Sequence, residues 1–105
     1  MVNFNSQVFS QEKLENMGAI ILLKQYVEND SPYLSRFNKK CIVYKIEKYA
    51  VEYIYISLKE VHNSFCGGDP DTFPTIDLYR IDRNTKAIEI YDADSNVYFN
   101  INNPY

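Results

Sequence analysis

Residues 41–58 read Cys41-Ile-Val-Tyr-Lys-Ile-Glu-Lys-Tyr-Ala50-Val51-Glu-Tyr-Ile-Tyr-Ile-Ser-Leu58, and this stretch decides the fold. Ile42, Tyr44 and Ile46 alternate with Val43, Lys45 and Glu47. After a break at 48–50, Val51, Tyr53 and Tyr55 alternate with Ile54, Ile56 and Leu58. A period of two in β-branched and aromatic residues is strand chemistry, because such side chains fit a pleated, half-buried surface. The spacing predicts two strands joined as a hairpin centred near residue 49. One long bent strand is the competing reading, since the break holds neither Gly nor Pro.

Toward the carboxy terminus the same period returns. Ile76, Leu78 and Arg80 alternate with Asp77, Tyr79 and Ile81. Arg83-Asn84-Thr85-Lys86 reads as a turn, 87–91 as a returning strand, 92–96 as another turn, and Val97, Phe99 and Ile101 as a last short strand. Residues 102–105 are expected to fray.

Toward the amino terminus the period is helical. Residues 11–28 are predicted as a helix, with Ser10 as its N-cap and Glu12 in the first turn, where the dipole favours a carboxylate. Leu14, Met17, Ile21 and Gln25 or Tyr26 recur at helical spacing as the expected inner stripe. Ile20, Leu22 and Leu23 widen the apolar surface, so the helix is expected to be held on more than one side. Ser31-Pro32 then resembles the N-cap and first position of a short second helix. Tyr33, Leu34 and Phe37 would be its inner face, and Lys39 and Lys40 its closing turn.

This order predicts a single α+β domain over residues 1–105. One or two amino-terminal helices would pack on a four- to five-stranded antiparallel meander sheet, in outline like the cystatin and nuclear-transport-factor folds. The helix would cover one sheet face, and the surplus of the ten tyrosines would line the other.

Composition narrows the function. The chain has 105 residues, 46% hydrophobic and 24% charged, with a net charge of −3. Residues 1–65 hold 8 Lys/Arg against 7 Asp/Glu, and residues 66–105 hold 3 against 7, so the acid lies in the carboxy-terminal part. That balance opposes binding to a nucleic-acid backbone, which needs clustered Lys and Arg, and suits a basic protein partner. No apolar run approaches the ~20 residues of a membrane-spanning helix. The amino terminus shows none of the marks of a signal peptide, so the cytoplasm is the expected compartment.

One His and two Cys make a poor ligand set, and no glycine-rich phosphate loop is present, so neither metal nor cofactor is expected. Cys41 and Cys66 are expected as free thiols. A disulfide between them is the alternative for an exported protein. A hairpin centred near residue 49 places Cys41 opposite residue 56 or 57, and Cys66 would then need its loop to fold back by several residues.

Residues 60–74 carry the distinctive motif, Glu60-Val-His62-Asn-Ser-Phe-Cys66-Gly-Gly-Asp69-Pro-Asp-Thr-Phe-Pro74. Gly67 and Gly68 can take positive φ, Asp69 can accept bonds from nearby amides, and Pro70 and Pro74 stiffen the chain. The main reading is a rigid connector, and the functional one a partner-contact loop. A His62–Cys66 nucleophilic pair and an Asp92–Asp94 acid–base pair are the competing catalytic readings. Two aspartates in the loop oppose a thiolate, and Asp-Ala-Asp-Ser-Asn is ordinary turn chemistry, so no catalytic residue is expected.

The run H-N-x-F-C-G-G-D-P-x-T-x-P, followed by I-D-x-Y-R-I-D-R-x-T-K-x-I-x-x-Y-D, resembles a module of small bacterial proteins. Many of these are lipoproteins or secreted, and related small proteins include immunity proteins of contact-dependent growth inhibition. The resemblance spans residues 60–92 through His62, Cys66, Gly67, Gly68, Asp69, Pro70, Thr72, Pro74, Arg80, Asp82, Arg83 and Thr85. Lys86-Ala87 departs from the usual Gly-containing turn, and the export signal of the lipoprotein members is missing.

The resemblance implies an immunity protein that occludes a cognate toxin, a basic nuclease domain whose phosphate-binding residues an acidic, Tyr-rich surface would cover. Asp69, Asp71, Asp77, Asp82, Asp92 and Asp94 are the candidate charges, and Tyr79, Tyr91 and Tyr98 the candidate anchors. Free, the chain would be a monomer or dimer. The alternatives are an exported or envelope binding protein with joined cysteines, and a small enzyme with a pocket around His62.

Overall fold

The structure, a computed structural model, describes residues 4–31 and 37–102, and of residues 4–10 the helical backbone alone. One long helix, α1 (Phe4–Asn29), precedes strands β1 (Ile42–Tyr49), β2 (Tyr53–Glu60), β3 (Thr75–Asp82), β4 (Ile88–Asp92) and β5 (Val97–Asn100). The strands pair antiparallel in chain order as a five-stranded meander, with α1 packed on one face. This is the α+β layout that the two periods of the sequence predict.

The stretch 41–58 is a hairpin, but its centre lies later than residue 49. β1 continues through Tyr49, which pairs with Ile54, so the turn falls at residues 50–52, and an irregularity between Ile46 and Lys48 shifts the register beyond it by one residue. Ile42 therefore pairs with Glu60, and the Val61 amide donates to the Cys41 carbonyl at 2.8 Å. This register carries Cys41 to the foot of the β2–β3 loop. The expectation of free thiols is accordingly corrected: Cys41 and Cys66 are joined, with their Cα atoms 5.6 Å apart.

The helix also differs from expectation in two ways. It begins at Phe4, so Ser10 lies within the helix rather than at its start, since no Gly or Pro interrupts residues 4–10. Its buried stripe is Ala19, Leu23 and Val27, flanked by Ile20, Leu22 and Tyr26. Leu14, Met17 and Ile21 stand outside at 68%, 52% and 55% exposure. Both sides of α1 are apolar at the same spacing, so periodicity alone does not choose between them. Glu15 sets the rotation. Its carboxylate takes two bonds from Arg83, Nε to Oε2 at 2.8 Å and Nη2 to Oε1 at 2.9 Å, and a third from the Tyr49 hydroxyl at 2.9 Å.

The strands meet this helix with Ile54, Ile56 and Leu58 of β2 and Tyr79 and Ile81 of β3, all nearly inaccessible to solvent. Burying each such aliphatic side chain stabilises the fold by about 1.5–3 kcal/mol relative to leaving it in water. The short second helix expected from Ser31 falls, at Pro32, Tyr33 and Leu34, outside the described residues. Phe37 packs on the core, and Lys39–Cys41 form one 3-10 turn whose cap is the Asn38 side chain, accepting from the Lys40 amide at 2.9 Å.

Candidate protein-binding face

Alternation along the strands puts a second set of side chains on the face that α1 does not cover. Tyr53 and Tyr55 of β2 point away from Ile54 and Ile56, Arg80 of β3 away from Tyr79 and Ile81, and Tyr91 and Tyr98 of β4 and β5 join them. The Arg80 guanidinium is stacked between two rings, 3.9 Å from the Tyr53 centroid and 4.2 Å from that of Tyr98. Glu89 accepts its Nε–H at 2.7 Å. Tyr55 meets Tyr98 edge-on at 6.0 Å, and Tyr91 lies 5.2 Å from Tyr98. Such contacts hold each ring in one place on rigid strands, with the rings half-buried. Leu78 and Val43 lie on the same face, 36% and 38% exposed.

The β2–β3 loop borders one end of this face. His62 is its internal pillar. The Nδ1 N–H donates to the Asp69 carbonyl at 2.9 Å and lies 2.8 Å from Thr72 Oγ1, whose own hydroxyl donates to that carbonyl at 2.8 Å. Nε2 faces Glu60 Oε2 at 3.3 Å. The Asp69 carbonyl first, and Glu60 second, favour the protonated ring and raise the His62 pKa. Asn63 caps the neighbouring turn, accepting from the Phe65 and Cys66 amides at 2.9 and 2.7 Å. With Cys66 in a disulfide, a Cys–His nucleophile is not available. Phe65 and Phe73 project outward, 67% and 50% exposed, and Lys59 holds the Phe73 carbonyl at 3.2 Å while its ammonium lies over the ring.

The nine candidate contact residues are dispersed. Tyr91 and Tyr98 belong to the aromatic face. Tyr79 does not: it is 1% exposed, in the core beside Tyr26, and burial drives its hydroxyl pKa up. Asp77 shares the helix side through its pairing with Leu58, and desolvation raises its pKa. Three of the other carboxylates cap turns. Asp69 accepts from the Asp71 amide, Asp82 from the Asn84 and Thr85 amides, and Asp92 from the Asp94 amide and the Ser95 hydroxyl. Asp71 and Asp94 are exposed, in loops at the same end of the sheet, whereas Asp82 lies at the other end.

Tyr53, Tyr55 and Arg80 complete the face and were not among the expected contacts. Their signal is visible in the alternation, which sets Tyr53 and Tyr55 opposite Ile54 and Ile56. Among the described residues, no group of three or more His, Cys, Asp or Glu is placed to hold a metal ion, and no helix is long and apolar enough to cross a membrane. Comparison with known protein families, curated proteins and solved structures finds no match.

Proposed function

We propose that this chain is a protein-recognition module that docks a partner on the tyrosine-lined face of its sheet. The observation that carries this reading is the Tyr53–Arg80–Tyr98 stack, extended by Tyr55 and Tyr91. The helix-side core does not need these residues. Tyr and Arg are the side chains most often found at binding hot spots, because each offers a large contact area and a polar tip. Rings already locked by their neighbours lose little freedom on docking, which leaves more of the contact energy for affinity.

The resemblance of residues 60–92 supplies a setting. The chain acts as an immunity protein in the cytoplasm, and its partner is a basic toxin domain, a nuclease, whose active site it covers. Asp71 and Asp94, at one end of the sheet, supply negative charge that speeds the encounter with such a partner. The Cys41–Cys66 bond favours a second setting, an exported or envelope binding protein, because disulfides persist in oxidising compartments.

Affinity capture from native cells tests both. The tagged wild-type chain is expected to bring down one stoichiometric partner, released by salt together with denaturant, and a Tyr55→Ala/Tyr98→Ala variant to lose it. A basic toxin with two free thiols on the captured chain supports the immunity setting. Recovery of the chain alone, from cells shown to make a neighbouring toxin domain, overturns it. Thiols fully blocked as isolated move the module to the envelope.

A further inference from the structure

The disulfide joins two unequal sites. Cys41 is buried, in the 3-10 turn that leads into β1. Cys66 is partly open to solvent, in the middle of the β2–β3 loop, between the exposed Phe65 and the left-handed Gly67. The loop residues on either side of it, 63–65 and 67–74, are all exposed, so burial does little to hold this segment in place.

Both ends of the loop are fastened without the disulfide. The Val61 amide donates to the Cys41 carbonyl at 2.8 Å, and the Glu60 amide to the Pro74 carbonyl at 3.0 Å. Lys59 adds bonds to the Phe73 carbonyl and the Thr75 hydroxyl. Between these ends, residues 62–72 bond one another. His62 holds Asp69 and Thr72, Asn63 holds the amides of residues 65–67, and Asp69 holds the Asp71 amide. Among the described residues, two ties lead out of this unit. His62 meets Glu60 at the root of the loop, and Cys66 is bonded to Cys41. Only the second reaches across to β1. Breaking it leaves both ends and the internal turns in place and frees the unit to swing about them.

We infer that Cys41–Cys66 is a redox latch: joined, it fixes the β2–β3 loop as a rim of the tyrosine face, and reduced, it releases that rim while the sheet stays folded. The consequence for docking rests on the reading of that face given above, whereas the release of the loop does not. The reductant is a dithiol. One thiolate attacks Cys66 Sγ on the more open side, the S–S bond breaks, and Cys41 leaves as a thiolate and takes a proton. The second thiolate attacks the reagent's own sulfur and expels Cys66. Two electrons and two protons pass to the protein, and the dithiol departs as a disulfide. The rim carries Phe65 and Asp71, both exposed. Held in place, they lose little freedom when a partner docks, and released, they must be ordered again. An oxidising compartment keeps the latch closed and the cytoplasm opens it, so the two settings of the module differ in the strength of its docking.

Chymotrypsin reads the loop directly. Phe65–Cys66 is an exposed bond that it can cut, and Pro74 protects the bond after Phe73. Dithiothreitol without denaturant is expected to reduce the native chain and to speed the cut at Phe65 by at least about tenfold, ahead of any cut at the strand tyrosines. The Cys41→Ser/Cys66→Ser variant should be cut at the faster rate with or without the reagent, and its far-UV circular dichroism should show the sheet folded. Reduction that needs denaturant, or equal cutting of the two forms, overturns the latch. First cuts spread over the strands overturn it too, since the bond is then a staple of the whole fold. For docking, the disulfide form and the variant are used as bait on one extract of native cells made without reductant. The disulfide form is expected to retain about tenfold more of a shared partner. Equal retention overturns the regulation and leaves the docking face standing. No partner on either bait ends the docking reading and the regulation with it, and the cut at Phe65 still decides whether the loop is released.

Discussion

Gly68 lies flat against the imidazole of His62: a Cβ at this glycine would come within 2.6 Å of Cδ2 and 2.7 Å of Cγ. Its φ is +77°, in the left-handed region, so both the backbone and the contact select glycine. Gly67, at φ +80°, has the same backbone but no atom within 4 Å of its Cβ position. The pair therefore separates the two effects. Gly67→Ala is expected to cost about 1–2 kcal/mol for the left-handed conformation alone. Gly68→Ala is expected to cost about 1–3 kcal/mol more, because the ring must shift. Urea unfolding of the two variants reads the difference, and equal losses would mean that the His62 contact does not hold the loop.

The pH dependence of that loop has a definite sign. The folded His62 pKa is raised above its ordinary 6.5 by the Asp69 carbonyl and Glu60. A raised pKa means that the charged ring is better held in the folded state. The added stability is full below the ordinary value and is lost as pH rises through the folded value. An NMR titration of the single imidazole is expected to give a midpoint above 6.5. Amide exchange at Gly67, whose N–H bonds the Asn63 carbonyl, should quicken over the same range beyond its intrinsic pH dependence. A midpoint at or below 6.5 contradicts this.

Arg83 ties α1 to both sheet turns at its end. Beyond its two bonds to Glu15 it donates to the Ala50 and Val51 carbonyls at 3.1 and 2.9 Å and to the Tyr49 hydroxyl, so each guanidinium hydrogen has a partner. Arg83→Lys is expected to lower stability by about 1–2 kcal/mol despite keeping the charge, since an ammonium cannot reproduce the fork. The Arg83 bond, ahead of the Tyr49 hydroxyl, depresses the Glu15 pKa from 4.5 to about 2. The contribution of Glu15 is thus present above 4.5 and lost as pH falls toward 2, and Glu15→Gln should flatten the acid limb of an unfolding-against-pH curve in that window. An unchanged limb would assign acid sensitivity to other carboxylates.

The disulfide closes a span of 25 residues, the β1–β2 hairpin and the start of the loop. Reduction is expected to lower stability by about 2–4 kcal/mol through the entropy of the unfolded chain. The pairing of β1 with β2 does not depend on it, so far-UV circular dichroism of the reduced protein should stay native while the unfolding midpoint falls. Loss of the strand signal on reduction would show that the sheet itself needs the bond.

The strand segments were legible because period-two alternation and polar turns are local signals, whereas their number stayed at four or five and their order in the sheet was open, since pairing is set by contacts between distant residues. The faces were legible in part. The alternation that puts Tyr53 and Tyr55 opposite Ile54 and Ile56 also puts Tyr79 with Ile81, so its place in the core follows from parity, and counting it as a surface anchor set residue type above position. The rotation of α1 was not legible. Leu14, Met17 and Ile21 repeat as well as Ala19, Leu23 and Val27 do, and only a contact 68 residues away, Glu15 with Arg83, distinguishes them. The disulfide was hidden for a similar reason. The β1–β2 turn is centred two residues later than the break in the alternation suggests, which moves the partner of Cys41 from residue 56 or 57 to Val61, and no Gly or Pro marks that turn.

Every strand of the sheet pairs with the one that follows it in the chain. No pairing has to wait for a distant segment to arrive, so the entropy lost in closing each loop is small and the sheet can zip from any of its hairpins. The helix is the exception, since its clamp on Arg83 joins the first part of the chain to the last strands. During synthesis β1 and β2 can pair as soon as they emerge, whereas α1, though made first, has no complete floor until β3 is finished. For that interval both of its apolar stripes face solvent together, which makes the nascent helix the segment most exposed to wrong association before the sheet closes under it.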